Sequence, residues 1–179
     1  MTNKLFDNFV NEQTKVAKEE HFDKNKELAQ WLEYVRTFYE SIEHFLDRYI
    51  KEKTVKLEYK KQPMHEDFSG PYEIDALTVV VGANRIQFKP IGTMLIGAKG
   101  RIDMTGPRGM VRFLLVNKEL SAPKISVRVW IDGQEPPPEE QPKPVVEWAW
   151  KISTPPPRIK YTEFGEESFY TAMMEVANG

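Results

Sequence analysis

Residues 91–116, IGTMLIGAKGRIDMTGPRGMVRFLLV, decide how the chain reads. Apolar runs lie on both sides, and the stretch reads as a long β-hairpin with strands near 93–104 and 110–116. Five glycines and four basic residues, Lys99, Arg101, Arg108 and Arg112, are spread along it. The glycines invite a phosphate-loop reading, but no Gly-Lys-Ser/Thr follows and no helix opens after them. They are expected as bends and turns of a curved sheet.

A register for the hairpin follows from its apolar face. Ile102 belongs on the side of Val111, Phe113 and Leu115. Pairing Ile102 with Val111 leaves Thr105, Gly106, Pro107 and Arg108 as a four-residue loop and sets Arg101 opposite Arg112. Like charges directly opposed across a sheet are unfavourable. Two resolutions are open. Asp103 pairs with one arginine and the face is simply solvated, or Lys99, Arg101 and Arg112, with Arg108 from the loop, hold an anion.

Working outward, alternation places further strands at 55–60, 72–81, 85–89, 124–131 and 145–153, with a turn at Gly82, Ala83 and Asn84. Residues 63–71 read as a loop, and 158–162 as a short extended segment. Upstream, 2–20 and 25–53 read as helices, the second long and uninterrupted by Gly or Pro. There Leu28, Leu32, Val35, Tyr39, Ile42, Leu46 and Tyr49 repeat at alternating spacings of four and three, with Trp31, Phe38 and Phe45 beside them. Such a wide apolar face belongs against a core. A last helix is expected from about Gly165, with Glu166 and Glu167 at its positive end.

The expectation is one α+β domain over 1–179: a helical part at 1–53, a β-rich core at 54–162 and a C-terminal helix at 163–179. The sheet is strongly bent and mainly antiparallel, or a partly open barrel, with about seven strands, because the connections are short. A proline-rich loop, GQEPPPEEQPKP at 133–144, interrupts it as an extended solvated connection.

Composition narrows function by exclusion. A chain of 179 residues without cysteine has no disulfide framework, thiol nucleophile or cysteine-ligated metal. Neither a signal-peptide core nor an apolar run of membrane-spanning length is present, so a cytoplasmic protein with no membrane partner is expected. Basic residues number 9 against 11 acidic in 1–53, 12 against 8 in 54–133, and 4 against 8 in 134–179. The mildly basic middle permits an anionic partner. Glu40, His44 and Asp47 share a helix face and His65, Glu66 and Asp67 share a loop, yet solvated polar surface explains both, and neither metal nor cofactor is expected. No Gly-x-Ser-x-Gly elbow or His-Glu-x-x-His helix is present, and no catalytic residue is nominated.

The reading is a non-catalytic binding protein. It engages a macromolecular partner, a protein in the first instance, through a basic, tryptophan-bearing sheet face or the proline-rich loop. The candidate residues are Lys99, Arg101, Arg108, Arg112, Arg128 and Trp130, with Trp148 and Trp150 as further aromatic surface unless a helix covers them. The alternatives are a single-stranded nucleic-acid-binding module using the same residues and an enzyme whose site the sequence does not advertise.

Overall fold

The computed structural model describes residues 2–93, 97–124 and 146–178. The expected strand at 124–131, apart from Lys124, and the whole proline-rich loop lie outside the described residues, as do Arg128 and Trp130.

The chain opens with one helix, α1 (Thr2–Lys51). Both stretches expected to be helical are helical, and so is the junction between them, giving a rod about 75 Å long at 1.5 Å per residue. Its apolar face is buried from Trp31 onward through Val35, Phe38, Ile42 and Leu46. The opposite face carries ion pairs of Arg36 with Glu33 and Glu40, Arg48 with Glu52, and Lys51 with Asp47. The helix stops at a Schellman motif. The Thr54 amide donates to the Tyr49 carbonyl and the Lys53 amide to the Ile50 carbonyl, with Lys53 held at φ 59°.

Among the described residues seven strands follow: β1 (Val55–Glu66), β2 (Gly70–Val81), β3 (Asn84–Gly92), β4 (Gly100–Gly106), β5 (Gly109–Asn117), β6 (Trp148–Ser153) and β7 (Tyr161–Glu163). They form one antiparallel sheet in sequence order, so β1 and β7 are its two edges and the sheet is not closed. Most of the stretch expected as a loop at 63–71 extends β1 and β2 instead. Pro63 is tolerated there because β1 is an edge strand, where a missing N–H breaks no ladder. The closing helix α2 (Glu166–Asn178) buries Phe169, Ala172, Met173 and Val176.

Both helices pack on one side of the sheet, and the core lies between. Phe38 is its centre. Its ring lies 5.0 Å from those of Phe113 and Trp150 and 4.7 Å, stacked, from Phe164, centroid to centroid. Two glycines make this approach geometrically possible. Gly100 lets α1 lie close on β4, since a Cβ there would stand 2.3 Å from the Trp31 ring. Gly92, at φ 136°, sits at the register shift where β3 bulges against β4 and the sheet bends.

Lys53 occupies a left-handed position that disfavours a side chain. Lys53→Gly is therefore expected to stabilise the fold by about 1 kcal/mol, read as a higher urea midpoint at unchanged slope.

Candidate functional site

The observed register assigns every strand residue to a face. Ile102 pairs with Phe113 and Met104 with Val111, and a two-residue turn of Pro107 and Arg108 joins Gly106 to Gly109. The strands are therefore shifted by two residues from the register that the four-residue loop implies. Such a shift keeps the apolar residues inward but changes the charge pairing: Arg101 stands opposite Leu114, and Asp103 stands opposite Arg112. The tight turn removes the like-charge conflict by substituting an opposite-charge pair.

On the face away from the helices, two cross-strand rows can be followed. One runs Lys89, Asp103, Arg112, Ser153, Tyr161, and the next Arg101, Leu114, Lys151, Glu163. Toward β1 the same face carries Lys56 opposite Val80, Glu58 opposite Thr78, and Lys60 opposite Ala76, with Arg85 beyond Val80. This outer face thus has seven basic residues against three acidic ones.

Not all of that charge is available. Arg101 grips Asp103 with two hydrogen bonds of 2.7 Å, and Asp103 is only 8% exposed. Lys151 is 3% exposed. Its Nζ donates to the carbonyls of Lys118 and Leu120 and pairs with Glu163 at 2.6 Å. Lys56 and Arg85 share Glu58. Lys60, Lys89 and Arg112 make no ion pair among the described residues. Lys89 and Arg112 belong to one row with a single strand between them, about 10 Å apart along the sheet.

The candidates from sequence therefore separate. Arg101 and Arg112 share the outer face. Arg108 sits exposed at the hairpin tip, where its amide donates to the Val176 carbonyl at 2.9 Å. Lys99 turns toward α1. Its Nζ donates to Gln30 Oε1 at 2.8 Å and lies 5.8 Å from the Tyr34 ring centroid and 5.6 Å from that of Trp148. Trp148 and Trp150 alternate with the outer-face residues and so face the helices. Trp150 donates its Nε1 proton to the Tyr34 carbonyl at 3.1 Å. Among the described residues, the outer-face cations lie opposite Trp148 and Trp150 across the sheet, while Lys99 lies on the tryptophan side.

Lys60 and Lys89 went unnominated in the sequence reading. Alternation in 55–60 and 85–89 marks both as solvent-facing, but only the register places them on the face of Arg112.

Interior polar groups are consumed by the fold. Glu66 accepts from the Tyr72 hydroxyl at 2.7 Å, the Thr93 amide at 2.6 Å and the Thr93 hydroxyl at 3.0 Å, and Trp31 donates to Tyr72 at 3.1 Å. Among the described residues no buried side-chain nitrogen or oxygen lacks a partner, and no group of His, Asp and Glu is placed to hold a metal. No helix is long and apolar enough to cross a membrane. Burial, with the charge of Glu66, raises the Tyr72 phenol above its ordinary value. Burial is also the leading cause of the upward shifts at Tyr39 and Tyr59. Comparison with protein-family models, curated sequences and solved structures gives no significant match to this chain.

Two outcomes follow from these contacts. Arg101→Gln strands the Asp103 carboxylate in a nearly buried position and should cost about 2–3 kcal/mol by urea denaturation, with much of the loss recovered in Arg101→Gln/Asp103→Asn. The raised tyrosines favour the neutral phenol in the folded state. Their contribution is complete below the ordinary tyrosine value of about 10 and is lost as pH rises above it, so the urea midpoint should fall between pH 9 and pH 11.

Proposed function

We propose that the chain is a non-catalytic binding protein whose outer sheet face engages an acidic surface of a protein partner. The observation that carries this reading is the set of three cations on that face, Lys60, Lys89 and Arg112, left without an ion pair among the described residues. A neutralised surface needs no partner. A face of net positive charge with unused cations gains charge-assisted contacts on meeting carboxylates. The other basic groups of the face serve the fold, which supports a recognition surface set on a rigid sheet. The satisfied interior favours binding over acid–base chemistry, since Glu66, Asp103 and Lys151 are each engaged by partners of the fold.

A protein partner is favoured over single-stranded nucleic acid on two grounds. Binding of bare strands uses aromatic stacking platforms beside several cations, and here Trp148 and Trp150 turn away from Lys60, Lys89 and Arg112, with Lys99 alone of the nominated cations beside Trp148. The chain as a whole is also mildly acidic, at net −2.

The test is affinity capture from nuclease-treated host extract on immobilised wild type and on Lys60→Gln/Lys89→Gln/Arg112→Gln. The wild type should retain a protein that elutes between about 50 and 300 mM salt, and the triple variant should retain at least tenfold less. Equal retention by the variant, or retention that nuclease abolishes, would overturn the reading.

A further inference from the structure

The sheet forks. β2 and β3 pair from Leu77 and Phe88 only as far as their connecting turn. On the other side of that pair, β2 continues with β1 down to Gly70, while β3 continues with β4 to Gly92. Side chains close the fork. From the helix side, the Tyr39 hydroxyl donates to the Asp75 carbonyl at 2.8 Å, with the Phe88 carbonyl at 3.4 Å. Across it, the Gln62 carboxamide donates to the Pro90 carbonyl at 3.1 Å. The fork is thus a built part of the fold.

At its mouth lies a hollow of about 300 Å³. Lys60 and Lys89 flank it from the two diverging arms, and both are exposed and unpaired. The cross-strand pair Thr78 and Gln87 lies where the arms meet, with a hydroxyl and a carboxamide that make no hydrogen bond among the described residues. Lys61 also lines the hollow but is held by Asp75 at 3.0 Å. No carboxylate is among the lining residues. Two ammonium groups without an ion pair and two neutral donors, with the adjoining carboxylates Glu58 and Asp103 already paired to Lys56, Arg85 and Arg101, make a receptor for one oxyanion.

The geometry points to the β2–β3 fork as a binding site for a single carboxylate or phosphoryl group carried by the protein partner, with Lys60 and Lys89 as the charge-bearing residues and Thr78 and Gln87 as the orienting donors. The inference rests on the outer-face reading and locates one anchoring contact within it. Arg112, two strands from Lys89, lies outside the hollow and meets a different part of the partner.

The test is an amide-resolved NMR titration of the full chain with sodium phosphate and, separately, sodium acetate, with chloride held to constant ionic strength. Saturable shifts are expected at Thr78, Gln87 and Lys89 in the millimolar range. They should weaken at least tenfold in Lys60→Gln/Lys89→Gln and persist in Arg112→Gln. Phosphate saturating at tenfold lower concentration than acetate would assign a phosphorylated partner segment, and comparable saturation an acidic one; either result supports the site. Shifts that rise linearly, that are as large at Lys56 and Arg85, or that survive the double variant would overturn it. Failure of the titration with capture still dependent on the three cations removes the fork site alone. Saturation at the fork with capture indifferent to those cations removes the outer-face reading alone.

Discussion

The aromatic face of α1 is the constraint from which the rest of the structure follows. Phe38 lies against rings from β5, from β6 and from the segment leading into α2, so one side chain ties together elements far apart in sequence. Burying a phenylalanine of this kind contributes about 1.5–3 kcal/mol through removed apolar area alone, before ring geometry is counted. Its neighbours along the helix extend the same role. Trp31 lies on the bare backbone of Gly100, and Tyr39 carries a hydroxyl to the point where β2 and β3 part. A sheet in simple sequence order has no topology of its own that fixes its curvature. Here the curvature is that of a surface laid over two helices, with Gly92 supplying the bulge.

Once the inner face is committed to the helices, strand alternation leaves the outer face no choice of residues. Several outer-face cations are neighbours, along their strands, of buried aliphatic or aromatic residues. Arg112 lies between Val111 and Phe113, Lys89 follows Phe88, and Arg101 precedes Ile102. The backbone that carries these cations is therefore fixed by the core. Those cations that cannot reach water are matched by fold partners, as Lys151 is by two carbonyls and a carboxylate. An ammonium group buried without such partners would carry a desolvation cost the fold could not support.

Much of this was legible in the sequence, and the reason differs by element. The repeat through Leu28 to Tyr49 announced the helix because its apolar face is wide and unbroken. The alternation in 55–60 and 85–89 announced strands because one face of each is solvated. The continuity of α1 through residues 21–24 was hidden because the apolar repeat fades in the charged stretch before them, and such a stretch marks exposure as readily as it marks a loop. The hairpin register was hidden because a shift of two residues preserves every inward-facing side chain. Apolar pattern cannot distinguish registers of the same parity, and the choice fell to turn geometry and to the Asp103–Arg112 opposition. That single shift altered the candidate site most. It set Asp103 rather than Arg101 opposite Arg112, and of the two resolutions open in the sequence the pairing of Asp103 with one arginine is the one found, through Arg101.

The overall charge of −2 hides how the fold sorts its ions. The solvent side of α1 carries Glu33, Glu40 and Asp47, each paired along the helix, while Lys60, Lys89 and Arg112 on the far side of the sheet make no ion pair among the described residues. A packed apolar layer lies between the two surfaces. On the proposed reading, an acidic partner surface would be drawn to the outer face before contact forms, so orientation would precede docking. Local pairing then decides which cations respond on arrival. Arg101 is already saturated by its carboxylate, whereas Lys60 and Lys89 at the fork make no ion pair among the described residues, and the fork is where β2 and β3 part.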